Sequence, residues 1–149
     1  MKTVLITGVS GYIAHHLLRR QPPAVQVSGT VRSMDKWRQS PYLKSLRVMP
    51  LFLEQNLAEQ LKGIKADLVI HTAAMASLSA CERDAAMARR VNAEAAGELA
   101  QWCKESDVRL VHLSTDIVFK GDRPPYREDS PTDPVNVYGR TKLAGEQAA

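Results

Sequence analysis

The sequence predicts an α/β fold: one doubly wound parallel sheet with helices on both faces. Two observations predict it. Apolar runs of strand length alternate along the chain with stretches of helical periodicity, the pattern of parallel strands joined by right-handed crossovers. The first run ends in Thr7-Gly8-Val9-Ser10-Gly11, a glycine turn that opens a helix, and such sheets bind ligands at the carboxyl ends of their strands.

The elements follow in order. Residues 4–7 are a short β-branched run ending in glycine, hence a first strand. Residues 12–20 carry Ile13, His16, Leu17 and Arg20 at helical spacing. Pro22-Pro23 ends that helix, because proline lacks the amide proton a helix interior needs. Residues 25–31 alternate apolar and small side chains as a second strand. Residues 34–46, interrupted by Pro41, read as loop with some helix. A third strand over 47–53, a short helix over 57–62 closed by Gly63, and a buried strand over 68–72 come next. Met87, Val91, Ala95, Leu99 and Trp102 recur three or four apart, which predicts one long helix over 84–105 with a single apolar face. A fifth strand over 109–114 precedes a polar loop from Lys120 to Pro134, and a last helix starts near Asn136. Cys103 falls on the long helix's buried face, and Cys81 in a loop or first helical turn.

Composition narrows the function classes. At 149 residues the chain is one domain's worth and long enough to bury a core. No apolar run approaches the ~20 residues of a membrane span, and the apolar stretch at the N-terminus is too short for a signal peptide. Two cysteines are too few for a disulfide framework and match no metal spacing, so reduced thiols, a cytoplasmic location and no metal are expected. The net charge is +4, but the basic residues are scattered rather than gathered in a stripe with aromatics. That argues against nucleic acid and suits a phosphate-rich small molecule.

Gly8 permits a turn that a Cβ would obstruct, and Gly11 lets backbone amides reach a pyrophosphate at the helix's positive end. Ala14 stands where a third glycine is expected and is small enough for close helix–strand packing. A glycine pair alone also suits an ordinary turn; its place after the first strand favours a nucleotide. An acidic residue after the second strand would grip an adenosine ribose 2′-hydroxyl, and this chain has Arg32 and Ser33 there instead. Arg32 suits a 2′-phosphate, so NADP(H) is expected over NAD(H); the alternative is a solvated loop arginine. Thr115, just after the fifth strand, carries a hydroxyl that can bond a substrate oxygen or cap the strand end, and Asp116 beside it suits a turn. Tyr138 and Lys142 are four apart and share a helix face. An ammonium there would lower a phenol's pKa from ~10 towards the range of useful acid–base work. A lone Tyr-x-x-x-Lys is common on helix surfaces. With the glycine turn and Thr115 upstream, it points to hydride transfer at a carbinol carbon.

Several segments carry a resemblance: Leu113 to Gly121, Pro125 to Pro131, Pro134 to Glu146, His71-Thr72-Ala73-Ala74 and Val91-Asn92-Ala93-Glu94. Over essentially its whole length the chain resembles the extended short-chain dehydrogenase/reductases, and among them is most similar to the dTDP-4-dehydrorhamnose reductases. The resemblance implies a Rossmann-type NAD(P)-binding domain over residues 1–149 and a 4-keto nucleotide-sugar as substrate. It implies a catalytic set of Thr115, Tyr138 and Lys142, with Asn92 helping to order a proton-relay water. It also implies cofactor contacts from Gly8, Ser10, Gly11, Tyr12, Ile13, Arg32, Ser33, Asn56, Leu57, Thr72, Ala73, Ala74, Tyr138 and Lys142.

Three positions depart from the reductase pattern. Ile117 replaces a usual tyrosine near the sugar, Lys120 a usual aspartate, and Asn56 an aspartate that often contacts adenine. Two other readings stay open: a non-catalytic cofactor-binding regulatory subunit resembling the methionine adenosyltransferase β subunit, and a nucleotide-sugar epimerase or dehydratase. The loop from Lys120 to Pro134 favours the reductases over the latter. Such reductases continue with further strands and a sugar-binding domain, so an incomplete domain is expected. Its sheet would end at the fifth strand, with bare apolar surface on the last helix, and the chain would either self-associate into a homo-oligomer or be only marginally stable.

Overall fold

Five parallel strands line up in the order β3-β2-β1-β4-β5 in the computed structural model, which describes residues 1–38 and 46–149. They are β1 (Lys2–Thr7), β2 (Val25–Val31), β3 (Arg47–Pro50), β4 (Leu68–His71) and β5 (Arg109–His112). Alternation sends Val4, Ile6, Val27, Leu68 and Ile70 to one face, where α1 (Tyr12–Arg19) and α2 (Met34–Arg38) cover them through Ala14, Leu18 and Trp37. Leu5, Val69 and Leu110 go to the other face, beneath α3 (Leu57–Gln60) and α6 (Ala95–Glu105). The remaining helices are α4 (Leu78–Arg83), α5 (Ala85–Arg89) and α7 (Val137–Ala148). A doubly wound sheet is therefore what the sequence builds. Residues 39–45 of the segment read as loop lie outside the described residues.

Two predicted elements come out differently, each for a local reason. The third strand stops at Pro50, not at 53, because the Gln60 side chain takes over the Phe52 backbone: its Oε1 accepts from the Phe52 amide and its Nε2 donates to the Phe52 carbonyl. The predicted helix over 84–105 is not one α-helix. A π turn over Arg90–Glu94 separates α5 from α6, and it moves the apolar stripe by one residue. Ala88 is buried before it, and Ala95, Ala96, Leu99 and Cys103 after it, while Met87 is 39% exposed. Cys81 lies buried within α4, which Ser77 caps at the amide of Ala80.

The last helix begins where expected, with the Asn136 side chain accepting from the Gly139 amide. It does not carry bare apolar surface. Among the described residues, the large apolar side chains left exposed lie elsewhere, including Ile13 and Leu17 on α1 and Val111 on β5.

α7 reaches the π turn because residue 145 has no side chain. A Cβ on Gly145 would stand 2.3 Å from the Asn92 carbonyl oxygen, a backbone atom that cannot step aside. Gly145→Ala is accordingly expected to lower stability by roughly 1–3 kcal/mol through overpacking. The measurement is a shift of the urea unfolding midpoint, with Gly63→Ala, where nothing stands within 4 Å but φ is +75°, as a strain-only comparison.

Candidate functional site

The chemistry-bearing residues gather at the carboxyl ends of the strands. β1 ends in Thr7 and the turn begins at Gly8, whose φ is +71° and whose added Cβ would lie 3.0 Å from Ala73. Glycine is required there on both counts. Hydrogen bonds hold the two strand ends together: the Thr72 hydroxyl donates to the Thr7 carbonyl at 2.6 Å, and the Ala73 amide to Thr7 Oγ1 at 3.3 Å. The amide of Gly11 closes the turn on the Gly8 carbonyl, and α1 then starts with no side-chain cap. Its first amides are left for an anion, since a helix's first turn has no intrahelical partner for them.

A cavity of about 540 Å³ opens in front of this turn. The turn contributes Gly8, Ser10 and Gly11; the end of β2 contributes Thr30, Val31 and Arg32; the stretch after β4 contributes Thr72, Ala73 and Ala74. Leu51, Leu53 and Glu54 come from beyond β3, with Met87 from α5 and Val91 from the π turn. A larger depression, about 870 Å³, lies at the opposite pole around Lys2 and Asp67. It lacks the glycine turn and sits at the amino ends of the strands, so the smaller cavity is the candidate site.

Not every predicted cofactor contact lines that cavity. Asn56 instead caps α3, its Oδ1 accepting from the Ala58 amide, and Leu57 is fully buried with its amide on Glu98. Glu54 takes the place by the cavity. Its loop is held by Arg90, which donates to the carbonyls of Glu54 and Gln55 and pairs with Glu98 at 2.7 Å. Tyr12, Ile13 and Ser33 border the lining residues without being among them. Met87 and Val91, predicted as core, both line the cavity; Met87 is exposed there, while Val91 keeps its packing against the core. An acidic residue shortly after the third strand is the sequence signal that picks out Glu54.

Thr115, Tyr138, Lys142 and Asn92 converge beside this cavity from β5, α7 and the π turn. Thr115 Oγ1 accepts from the Ile117 amide at 3.2 Å and caps a short 3₁₀ turn. Burial raises the Tyr138 phenol above its ordinary pKa; the Thr115 hydroxyl hydrogen-bonds it and pulls the other way, while Cys81 and Asp116 add to the rise. The expected lowering by Lys142 is absent in this state. The Lys142 ammonium is turned towards the sheet, onto the Leu113 carbonyl at 2.5 Å and His112 Nε2 at 3.2 Å. Burial lowers its pKa to about 8, and Glu146 opposes that. Asn92 is 1% exposed, with Nδ2 donating to Thr141 Oγ1 and to the Met75 carbonyl, and Oδ1 accepting from the Met75 amide. Its side chain joins the loop after β4 to α7.

Sequence reading placed His71 in a matching segment but missed its pairing with His112 beneath these residues. Register sets Thr7, His71 and His112 side by side across β1, β4 and β5. His71 Nδ1 lies 2.7 Å from Thr7 Oγ1, and the two rings stack with centroids 5.2 Å apart. Their signal was two strands each ending in histidine at matched positions.

A nucleotide-sized cavity at a glycine turn, flanked by Thr115, Tyr138 and a buried lysine, places the chain among proteins related to the NAD(P)-dependent short-chain reductases. The whole chain, residues 1–149, matches the family described as the RmlD substrate binding domain, and it belongs to that family. It is 36% identical over 146 residues to the dTDP-4-dehydrorhamnose reductase of Burkholderia thailandensis, covering 97% of this chain and 44% of that protein. It is 33% identical over 108 residues to methionine adenosyltransferase 2 subunit beta of Bos taurus, covering 68% and 32%. A hypothetical dTDP-4-dehydrorhamnose reductase from Sulfolobus tokodaii superposes with a TM-score of 0.86 at 32% identity, over 100% of this chain and 52% of that one. The dTDP-4-dehydrorhamnose reductase of Bacillus anthracis in complex with NADP gives 0.76 at 27%, over 99% and 48%. MoeE5 in complex with UDP-glucose and NAD gives 0.81 at 30%, over 99% and 48%. The chain thus spans about half the length of most of these proteins.

The histidine pair sets an acid limit. Burial, then His112 and Lys142, hold His71 down to about 3, and burial, then Lys142, hold His112 to about 4, against 6.5 for a free imidazole. Below pH 6.5 the unfolded chain takes up protons that the folded one refuses, so stability falls with pH across 6.5 to about 3. The slope contributed is at most about 1.4 kcal/mol per pH unit for each ring. Urea midpoints measured from pH 7 to pH 4 should fall accordingly, and His71→Gln should flatten the slope.

Proposed function

We propose that residues 1–149 are the NAD(P)-binding part of an NADPH-dependent reductase of a 4-keto nucleotide-sugar. The observation that carries this reading is the meeting of an uncapped helix start behind Gly8 with Thr115 and Tyr138 at one end of the sheet. The cradle fits a dinucleotide: Gly8 keeps the approach clear, the first amides of α1 meet the pyrophosphate, and Arg32 at the rim takes a 2′-phosphate. Glu54, Met87 and Val91 border the adenine end, and Thr72, Ala73 and Ala74 run along the ribose and nicotinamide side.

The bound nicotinamide supplies the hydride. This chain's own residues manage the oxygen that gains negative charge. Thr115 donates a hydrogen bond to it, and Tyr138 delivers a proton, leaving a phenolate. A buried phenol with a raised pKa holds its proton until that charge develops, and the Lys142 ammonium, with one proton on a ribose hydroxyl, then stabilises the phenolate. Asn92 acts by holding the loop after β4 against α7, which keeps Tyr138 over Thr115. The bovine subunit relative keeps a second reading in view, in which the same cavity binds NADP(H) without turnover.

NADPH is expected to bind the chain more tightly than NADH, by about 10-fold for one charge-assisted phosphate contact. Calorimetric titration checks this, and Arg32→Ala should bring the two affinities together. In a preparation that reduces a 4-keto nucleotide-sugar, Tyr138→Phe should cut turnover by at least ~100-fold with NADPH affinity nearly unchanged. Binding with no turnover in any such preparation would favour the regulatory reading, and no binding of either dinucleotide would sink both.

A further inference from the structure

Lys142 is 3% exposed and sits directly over the end of β5. An ammonium carries three donors. Two go to the Leu113 carbonyl and to His112 Nε2, and no third partner is present among the described residues. We propose that His112 is a positioning residue for Lys142: its neutral ring accepts one ammonium proton and, with the Leu113 carbonyl, aims the remaining one away from the sheet. On the proposed function that proton meets a ribose hydroxyl, and this part of the role rests on that reading.

Four features support it. His112 shares its register row with His71 and its face with Leu110, so an apolar side chain would suit the packing. Instead the position holds an imidazole whose Nδ1 is buried with no partner among the described residues, a cost that an apolar residue of similar shape would remove. The Nε2 contact gives that ring a reason to be there. Stacking on His71 at an interplanar angle of 28° fixes the ring plane, and His71 is itself tied to Thr7. Finally, α7 passes close over this nitrogen, a Cβ on Gly145 standing 3.4 Å from His112 Nε2, so Lys142 on the same helix is carried within reach of the ring.

Accepting at Nε2 places the ring proton on Nδ1. The ring must stay uncharged to serve, since an imidazolium would repel the ammonium. The titratable groups around the pair are His71 from β4 and Glu146 and Tyr138 from α7. Glu146, held by the Ser114 hydroxyl, favours the charged lysine.

The test uses the chain labelled with ¹⁵N-histidine and ¹³C-lysine. Long-range ¹H–¹⁵N spectra at pH 7 should show His112 neutral and protonated at Nδ1. His112→Phe keeps the shape but removes the acceptor. It should move the Lys142 titration down from about 8 by about one pH unit, the equivalent of a lost charge-assisted hydrogen bond, and weaken NADPH binding ~5- to 10-fold. His112→Gln, which keeps an acceptor, should recover most of both. An unchanged Lys142 titration in a folded His112→Phe protein, or a ring protonated at Nε2, overturns the assignment. Should His112→Phe fail to fold, the wild-type tautomer and the glutamine variant decide instead. A chain that binds no dinucleotide defeats the reductase reading, while the lysine titration still judges His112.

Discussion

The close approach of α7 to the π turn, backbone against backbone at Gly145 and Asn92, is the contact on which the rest of the site depends. It sets the depth at which α7 lies on the sheet, and with it the height of Tyr138 over Thr115 and of Lys142 over β5. Asn92 ties the same junction sideways, to Met75 in the loop after β4 and to Thr141 on α7. One residue of extra helix circumference at the π turn makes this geometry available, as such insertions often do at functional sites. Met87 and Val91, beside the same insertion, line the cavity at the glycine turn.

Electrostatics follow from that packing. A lysine, two imidazoles and a phenol are drawn into a region that water reaches poorly, and each is pushed towards its neutral form. For the imidazoles this produces uncharged acceptors. For Tyr138 it keeps the proton in place. Lys142, lowered only to about 8, stays mostly charged at neutral pH, and it donates hydrogen bonds to fixed acceptors, the least expensive way to keep a cation in such surroundings.

Much of this was legible in the sequence. Strand-length runs alternating with helical periodicity gave the sheet, and Thr7 to Gly11 marked its ligand end. Asn136 marked the start of α7 within one residue. What escaped detection shares a cause: features created by register or by a non-integral helix turn leave no trace in a periodicity count. Met87 fits an ideal 3.6-residue stripe with Val91, Ala95 and Leu99, and only a π turn leaves it exposed at the cavity. Asn56 was the polar candidate after β3; it caps α3 instead, and Glu54, whose carbonyl is held by Arg90 from 36 positions away, lines the cavity. The histidine row becomes visible only once β4 is set against β5.

The strand that anchors Lys142 is one of the two edges of the sheet. β5 pairs with β4 alone among the described strands, and its Val111 is 44% exposed on the face that α1 and α2 cover only further along the sheet. Edge strands with thin cover open more readily than central ones, on the scale that amide hydrogen exchange reports. Any fraying of β5 moves the Leu113 carbonyl and the His112 ring together, and Lys142 loses both acceptors in the same event. Whatever packs against β5 therefore governs the lifetime of the lysine's orientation, coupling the sheet's margin to the site's chemistry through motion rather than through contact.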